Sequence, residues 1–107
     1  MESIIMGDNK PIVLEMDEPV SNIDKFSAVI YGKNRDYKRW NEEDVELKDT
    51  TISLPLTQEE TLAMKEKAVS LEVKFLTNDN IEFFQIITFY VVERRDSTVF
   101  EIGGVGD

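Results

Sequence analysis

Residues 69–93 read VSLEVKFLTNDNIEFFQIITFYVVE, and this stretch decides the fold class. Apolar and polar side chains alternate from Val69 to Phe75, which is the pattern of a β-strand with one buried face. Residues 77–80 (TNDN) are turn formers that tolerate left-handed backbone geometry. Residues 81–93 then supply a long apolar return strand. The stretch therefore predicts a central β-hairpin.

Shorter alternating runs precede the hairpin, and turn residues separate them, which is typical of an all-β sandwich. Strands are predicted at residues 3–6, 12–16, 26–31, 37–40, 45–47 and 52–56. Thr57 and Glu60 have the spacing of a capping box, which predicts one to two helical turns within residues 58–67. We predict one antiparallel β-sandwich of about seven strands with one short helix, spanning residues 1–102. Residues 98–102 are the last expected strand, and the glycine-rich residues 103–107 are expected to form a disordered tail.

Composition excludes several classes of function. The 107 residues include 12 Lys and Arg, 22 Asp and Glu, and neither Cys nor His, so the formal net charge is −10. Disulfide scaffolds, thiolate nucleophiles, Cys/His zinc sites and His-based acid–base catalysis are therefore excluded. The negative charge also argues against general nucleic-acid binding, because the phosphate backbone would repel the chain. We predict a non-enzymatic protein with no cofactor, no metal and no catalytic residue.

The sequence also bears on location. No stretch approaches the ~18 apolar residues of a membrane span, and residues 1–8 lack the cationic start of a signal peptide. We therefore expect no membrane association and a cytosolic location in the producing cell.

Carboxylates offer the remaining route to catalysis or metal binding. The densest group is Glu42, Glu43, Asp44 and Glu46. Catalytic carboxyl pairs need a fixed separation inside a cleft, which consecutive residues in a polar loop rarely reach, so a solvated turn is favoured. Residues 17–18 and 78–80 offer oxygen ligands for calcium but lack the spacing of an EF-hand loop, and a hairpin turn is favoured there.

The first candidate binding segment is basic and aromatic in an otherwise acidic chain. Its candidate contact residues are Lys33, Arg35, Tyr37, Arg39 and Trp40. The segment fits an edge hairpin whose cations prevent aggregation, a protein–protein contact, or a stacking platform for single-stranded nucleic acid. Tyr31, Tyr37 and Trp40 also suggest a surface on which a carbohydrate could stack.

The second candidate is one face of the return strand. Both faces of this strand are apolar between Phe83 and Val92, and only one can lie on the core. The candidate contact residues on the other face are Phe84, Ile86 and Tyr90. Either this face is an interface with a partner, or the helix within residues 58–67 or a loop covers it. The sequence favours neither alternative.

The order of these motifs resembles a known family. Residues 6–8 (MGD) precede an apolar strand at 12–16, residues 21–24 (SNID) precede a Val-Ile-Tyr strand, and residues 54–62 (LPLTQEETL) precede the hairpin. This order is similar to that of small immunoglobulin-like β-sandwich proteins encoded among the virion structural genes of tailed phages and prophages of Gram-positive bacteria.

The resemblance implies an immunoglobulin-like sandwich that acts by protein–protein interaction as a virion structural protein, of the tail or baseplate accessory type. Its partners would be other virion proteins or further copies of itself. Its location would be the cytoplasm of the producing bacterial cell and then the virion. The alternative is a small carbohydrate- or ligand-binding module.

Overall fold

Eight β-strands and one short helix make up the part of the chain that the computed structural model describes, residues 2–92 without the side chain of Glu2. In chain order the elements are β1 Glu2–Ile5, β2 Ile12–Glu15, β3 Ile23–Tyr31, β4 Asp36–Asn41, β5 Glu46–Lys48, β6 Thr51–Leu54, α1 Gln58–Leu62, β7 Ala68–Thr77 and β8 Glu82–Val92. The strand predicted at residues 98–102 and the tail predicted at 103–107 lie outside the described residues.

The predicted hairpin is confirmed, and it is the centre of the larger of two sheets. β7 and β8 pair antiparallel, with Val69 opposite Phe89 and Phe75 opposite Phe83. Asn80 lies in the connecting turn with a φ of 64°, the left-handed conformation that asparagine tolerates. The larger sheet has the strand order β1-β8-β7-β3-β4, and the smaller sheet has the order β2-β6-β5.

This strand order is that of an immunoglobulin-like sandwich. From β2 to β8 the strands take the positions B, C, C′, D, E, F and G in chain order, with C, C′, F and G in one sheet and B, D and E in the other. The predicted all-β immunoglobulin-like sandwich with one short helix is confirmed. Two details differ: the described residues hold eight strands instead of about seven, and β1 runs parallel to β8, so not every pairing is antiparallel.

The inner faces of the two sheets form the core without a disulfide. Ile30 and Leu71 on the larger sheet, and Ile52 and Leu54 on the smaller one, are completely buried, as is Met64 on the segment between α1 and β7. Immunoglobulin domains commonly join their sheets by a disulfide between strands B and F. This chain has no cysteine, and its sheets are held together by apolar packing.

Trp40 belongs to this core, which corrects its prediction as a contact residue. Only 2% of its surface is exposed. It lies on β4 in register with Ala28, whose small side chain leaves room for the indole ring. The indole N–H donates a hydrogen bond to the carbonyl oxygen of Pro55, just after β6, at 3.0 Å. Trp40 therefore links the two sheets and cannot stack on a ligand at the surface.

The capping box is confirmed at the start of α1. The Thr57 hydroxyl accepts a hydrogen bond from the Glu60 amide (3.1 Å), and the Glu60 carboxylate accepts one from the Thr57 amide (2.8 Å). The helix ends at Leu62, within the span of residues 58–67 in which one to two turns were predicted. Its buried Thr61 faces the loop between β1 and β2, and the hydroxyl accepts a hydrogen bond from the Gly7 amide at 2.9 Å.

Candidate binding surface

The outer face of the five-stranded sheet carries an exposed apolar row along β8. The row consists of Phe84, Ile86, Tyr90 and Val92, which are 55%, 50%, 55% and 46% exposed, and Thr88 lies on the same face between Ile86 and Tyr90. These side chains point outward because their neighbours Phe83, Ile87, Phe89 and Val91 point into the core, and side chains alternate along a strand. The sequence left open whether a helix or loop covers this face. Nothing among the described residues buries it.

Polar and charged side chains border the apolar row on β7. Phe84 lies in register with Lys74, and Ile86 lies in register with Glu72. β3 follows on the far side of β7, with Ser27 opposite Lys74. The outer face is therefore divided into an apolar row on β8 and a mixed part on β7, β3 and β4, in which charged side chains alternate with polar and apolar ones such as Ser27 and Val29.

Among the described strands, one edge of β8 is only partly paired beside the apolar row. β1 has only four residues and pairs with Phe89–Val92. The remaining part of β8, from Glu82 to Thr88, has β7 on one side and no other described strand on its second side. The exposed Phe84 and Ile86 lie on this part of β8. Within residues 2–92, a strand edge without a partner strand and exposed apolar side chains thus lie next to each other.

The structure separates the residues of the first predicted segment. Arg39 lies on β4 in register with Val29, on the same outer face as the apolar row, where its guanidinium is 3.1 Å from the carboxylate of Asp36. Lys33 and Arg35 are exposed in the turn between β3 and β4. The two candidate surfaces therefore share one sheet, but β7 and β3 lie between them.

Tyr37 is held by Glu66 and is not a free stacking surface. The Glu66 carboxylate accepts hydrogen bonds from the Tyr37 hydroxyl (2.5 Å) and the Lys33 amide (3.0 Å). Gly32 leaves room for this carboxylate, since a Cβ there would lie 1.5 Å from Oε2. The hydroxyl bond lowers the pKa of Glu66, and burial together with the same bond raises the pKa of Tyr37. The Arg35 guanidinium lies 4.8 Å from the centre of the Tyr37 ring.

This geometry weakens the carbohydrate interpretation. Trp40 is buried, and Tyr31 and Tyr37 are partly buried. The three aromatic side chains that were expected to form one stacking surface therefore do not form it.

The acidic cluster has a local structural role. The Glu42 carboxylate accepts a hydrogen bond from the Phe26 amide (3.0 Å), and the Asp44 carboxylate accepts one from the Asn41 amide (3.0 Å). Within residues 2–92, no group of three or more Asp or Glu side chains is arranged to hold a metal ion. Over the same residues, no helix is long and apolar enough to cross a bilayer.

Three residues of the candidate surface were missed as individual contacts. Val92 extends the apolar row, and Glu72 and Lys74 border it. The sequence signal that identifies them is the hairpin register: counting back from the turn pairs Lys74 with Phe84 and Glu72 with Ile86. The same register then puts charged residues beside apolar ones on a single face.

Comparisons with known proteins show one similar structure. The first immunoglobulin-like domain from human CD48 antigen, solved in solution, is similar with a TM-score of 0.44 and 13% sequence identity. The similarity covers 96% of this chain and 91% of that domain. No family model and no curated protein matches the chain.

Proposed function

We propose that this chain is a non-enzymatic binding protein of a phage or prophage virion, of the tail or baseplate accessory type. It would be made in the cytoplasm of the producing bacterial cell and would enter the virion by attaching to another virion protein or to itself. The attachment surface is the outer face of the five-stranded sheet. The phage context follows from the sequence resemblance, and the choice of surface follows from the exposed apolar row.

The observation that carries the proposal is the half-exposed state of four large apolar side chains on one strand. Phe84, Ile86, Tyr90 and Val92 are each 46–55% exposed. A contiguous exposed apolar patch on a folded domain marks an association site more often than single scattered apolar residues do. Phenylalanine and tyrosine are also enriched at protein interfaces. The bordering charges on β7 correspond to the polar rim that such interfaces have.

The second candidate function, binding of a small carbohydrate or other ligand, has less support. Such sites are concave, mostly apolar and largely pre-formed. The outer face is a sheet surface, and the aromatic set that was expected to stack on a sugar is divided between core and surface. We therefore favour a flat protein partner.

Incorporation into particles tests the proposal. The chain would be co-expressed with the genes that flank its own, and the assembled particles would be purified and analysed for its presence. Ile86→Glu puts a charge into the apolar row next to Phe84, and we expect it to prevent incorporation. Val13→Glu is the matched control, because Val13 is 58% exposed on β2 of the other sheet.

The two outcomes that would overturn the proposal are distinct. Flanking genes without portal, capsid or tail proteins would remove the phage context. Equal incorporation of Ile86→Glu and the wild type would show that the outer face is not the attachment surface. Circular dichroism of each variant checks that the substitution leaves the fold intact, as expected for an exposed position.

A further inference from the structure

We infer that the outer face of the five-stranded sheet binds a second copy of this chain in an isologous two-fold dimer. This inference rests on the proposed function, because it names the partner for the same surface. Three features of the face support it: its charge balance, the register of its charged and apolar pairs, and its size.

The charge balance distinguishes this face from the rest of the molecule. Six charged residues are paired in register on its outer side, and they are Lys25, Arg39, Lys74, Asp36, Glu72 and Glu82. Three are cations and three are carboxylates, so the formal charges of these six cancel. Asp24, exposed at the bulge of β3 between Ile23 and Lys25, is not paired in register and is not among them. The complete chain has a net charge of −10, and this excess therefore lies elsewhere. In an isologous contact each patch meets itself, so a patch of one sign would repel its copy. This face avoids that repulsion.

The register of β7 and β8 also fits a two-fold axis. Glu72 lies beside Ile86, and Lys74 lies beside Phe84, two residues further along. The two-fold axis lies between the two copies, parallel to their sheets and perpendicular to the strands. It passes between the Glu72–Ile86 pair and the Lys74–Phe84 pair, and it reverses the strand direction in the second copy. It thereby places Glu72 of one copy opposite Lys74 of the other, and Ile86 opposite Phe84. The same axis places Thr88 opposite Glu82, so Tyr90 and Val92 lie beyond the paired part of the two β8 strands. One symmetry operation pairs both the opposite charges and the apolar side chains.

The size of the face is compatible with a dimer interface. At ~3.4 Å per residue along a strand and ~4.8 Å between strands, the five strands cover roughly 650 Å² of planar area. A standard protein interface buries about 800 Å² of accessible surface per partner. The accessible surface of a sheet with protruding side chains exceeds its planar area, so a contact that covers most of the face would reach this value.

Sedimentation equilibrium across micromolar to sub-millimolar concentrations tests the inference. We expect the wild type and the control Val13→Glu to reach twice the mass of one chain. We expect Ile86→Glu to raise the dimer dissociation constant at least about thirtyfold, which is the effect of losing a central hot spot. A wild type that stays monomeric, or an Ile86→Glu variant that dimerises like the wild type, would overturn the inference.

Charge exchange tests the two-fold arrangement itself. Glu72→Lys and Lys74→Glu each bring like charges together in a homodimer, and we expect each to weaken it at least about tenfold. When the two variants are mixed, opposite charges face each other again, so native mass spectrometry should show the heterodimer in excess. A statistical mixture of dimers would contradict the arrangement.

The inference and the proposed function fail in different ways. If the wild type is monomeric but Ile86→Glu prevents incorporation into particles, the face binds another virion protein and the self-association is wrong. If Ile86→Glu is incorporated normally, the attachment surface itself is wrong.

Discussion

The buried hydroxyl of Thr61 joins α1 to the loop after β1, and we predict that its removal destabilises the fold. Its Oγ1 accepts a hydrogen bond from the Gly7 amide at 2.9 Å and donates toward the carbonyl oxygens of Asp8 (2.8 Å) and Gln58 (3.1 Å). Gly7 is itself buried, and its φ of 83° is a conformation that favours glycine. Thr61→Val keeps the shape of the side chain and removes every one of these bonds.

The expected cost follows from the burial of Thr61, which is 1% exposed. A buried amide left without an acceptor costs about 1–3 kcal/mol. We therefore expect Thr61→Val to lower the free energy of unfolding by about 2 kcal/mol, or the melting temperature by roughly 10 °C for a domain of this size. Thr61→Ser keeps the hydroxyl and loses one methyl group, which costs only about 1 kcal/mol.

Urea unfolding followed by circular dichroism measures both variants, and hydrogen exchange locates the effect. We expect Thr61→Val to be the less stable of the two and the Gly7 amide to lose its protection selectively. If Thr61→Ser is destabilised as much as Thr61→Val, the methyl group and not the hydroxyl holds this loop, and the reasoning is refuted.

Three further predictions concern the first candidate segment and its neighbours. Gly32→Ala should displace the Glu66 carboxylate, because the new Cβ would lie 1.5 Å from its Oε2. Ultraviolet titration should then show that the pKa of Tyr37 shifts back toward 10.0. An unchanged Tyr37 titration would mean that Glu66 does not depend on this glycine. Trp40→Ala should destabilise the fold by about 3–5 kcal/mol, as loss of a core tryptophan does, whereas a surface ligand site at Trp40 would leave stability unchanged. Burial acts to raise the pKa of Glu60, but the hydrogen bonds from Lys38 and from Thr57 at the helix N-cap lower this pKa overall. The pKa of Glu66 is lowered mainly by the hydrogen bond from the Tyr37 hydroxyl. Each carboxylate therefore stabilises the fold at a pH above its unfolded-state pKa, which is near 4.5. This stabilisation is lost as the pH falls through the lower folded-state pKa. The stability difference between the wild type and Glu66→Gln should accordingly shrink in acid, and a constant difference would contradict the assignment.

Local sequence signals were enough to predict the hairpin and the helix cap. The alternation from Val69 to Phe75 predicts one buried face, and the structure buries Val69, Leu71 and Val73 as that pattern requires. The capping box at Thr57 is also a local signal, since both of its hydrogen bonds join residues three apart. Interactions of this kind depend on neighbours in sequence, so a sequence shows them directly.

Features that depend on pairing between strands far apart in the chain could not be predicted from local sequence signals. Trp40 was expected at the surface because it follows a run of basic residues, but its register with Ala28 turns it toward the core. The parallel pairing of β1 with β8 joins strands that are far apart in the chain, and no local pattern indicates its direction. The openness of the apolar row on β8 likewise depends on where the helix packs.

The central claim is that the outer face of the five-stranded sheet binds a second copy of the chain. A dilution series of the wild-type protein, followed by amide chemical shifts in NMR spectra, tests it most directly. The account predicts concentration-dependent shifts confined to the five-stranded sheet, strongest around Ile86 and Glu72, with the amides of β2, β5 and β6 unchanged. Shifts centred on the three-stranded sheet, or no shifts across the series, would contradict it.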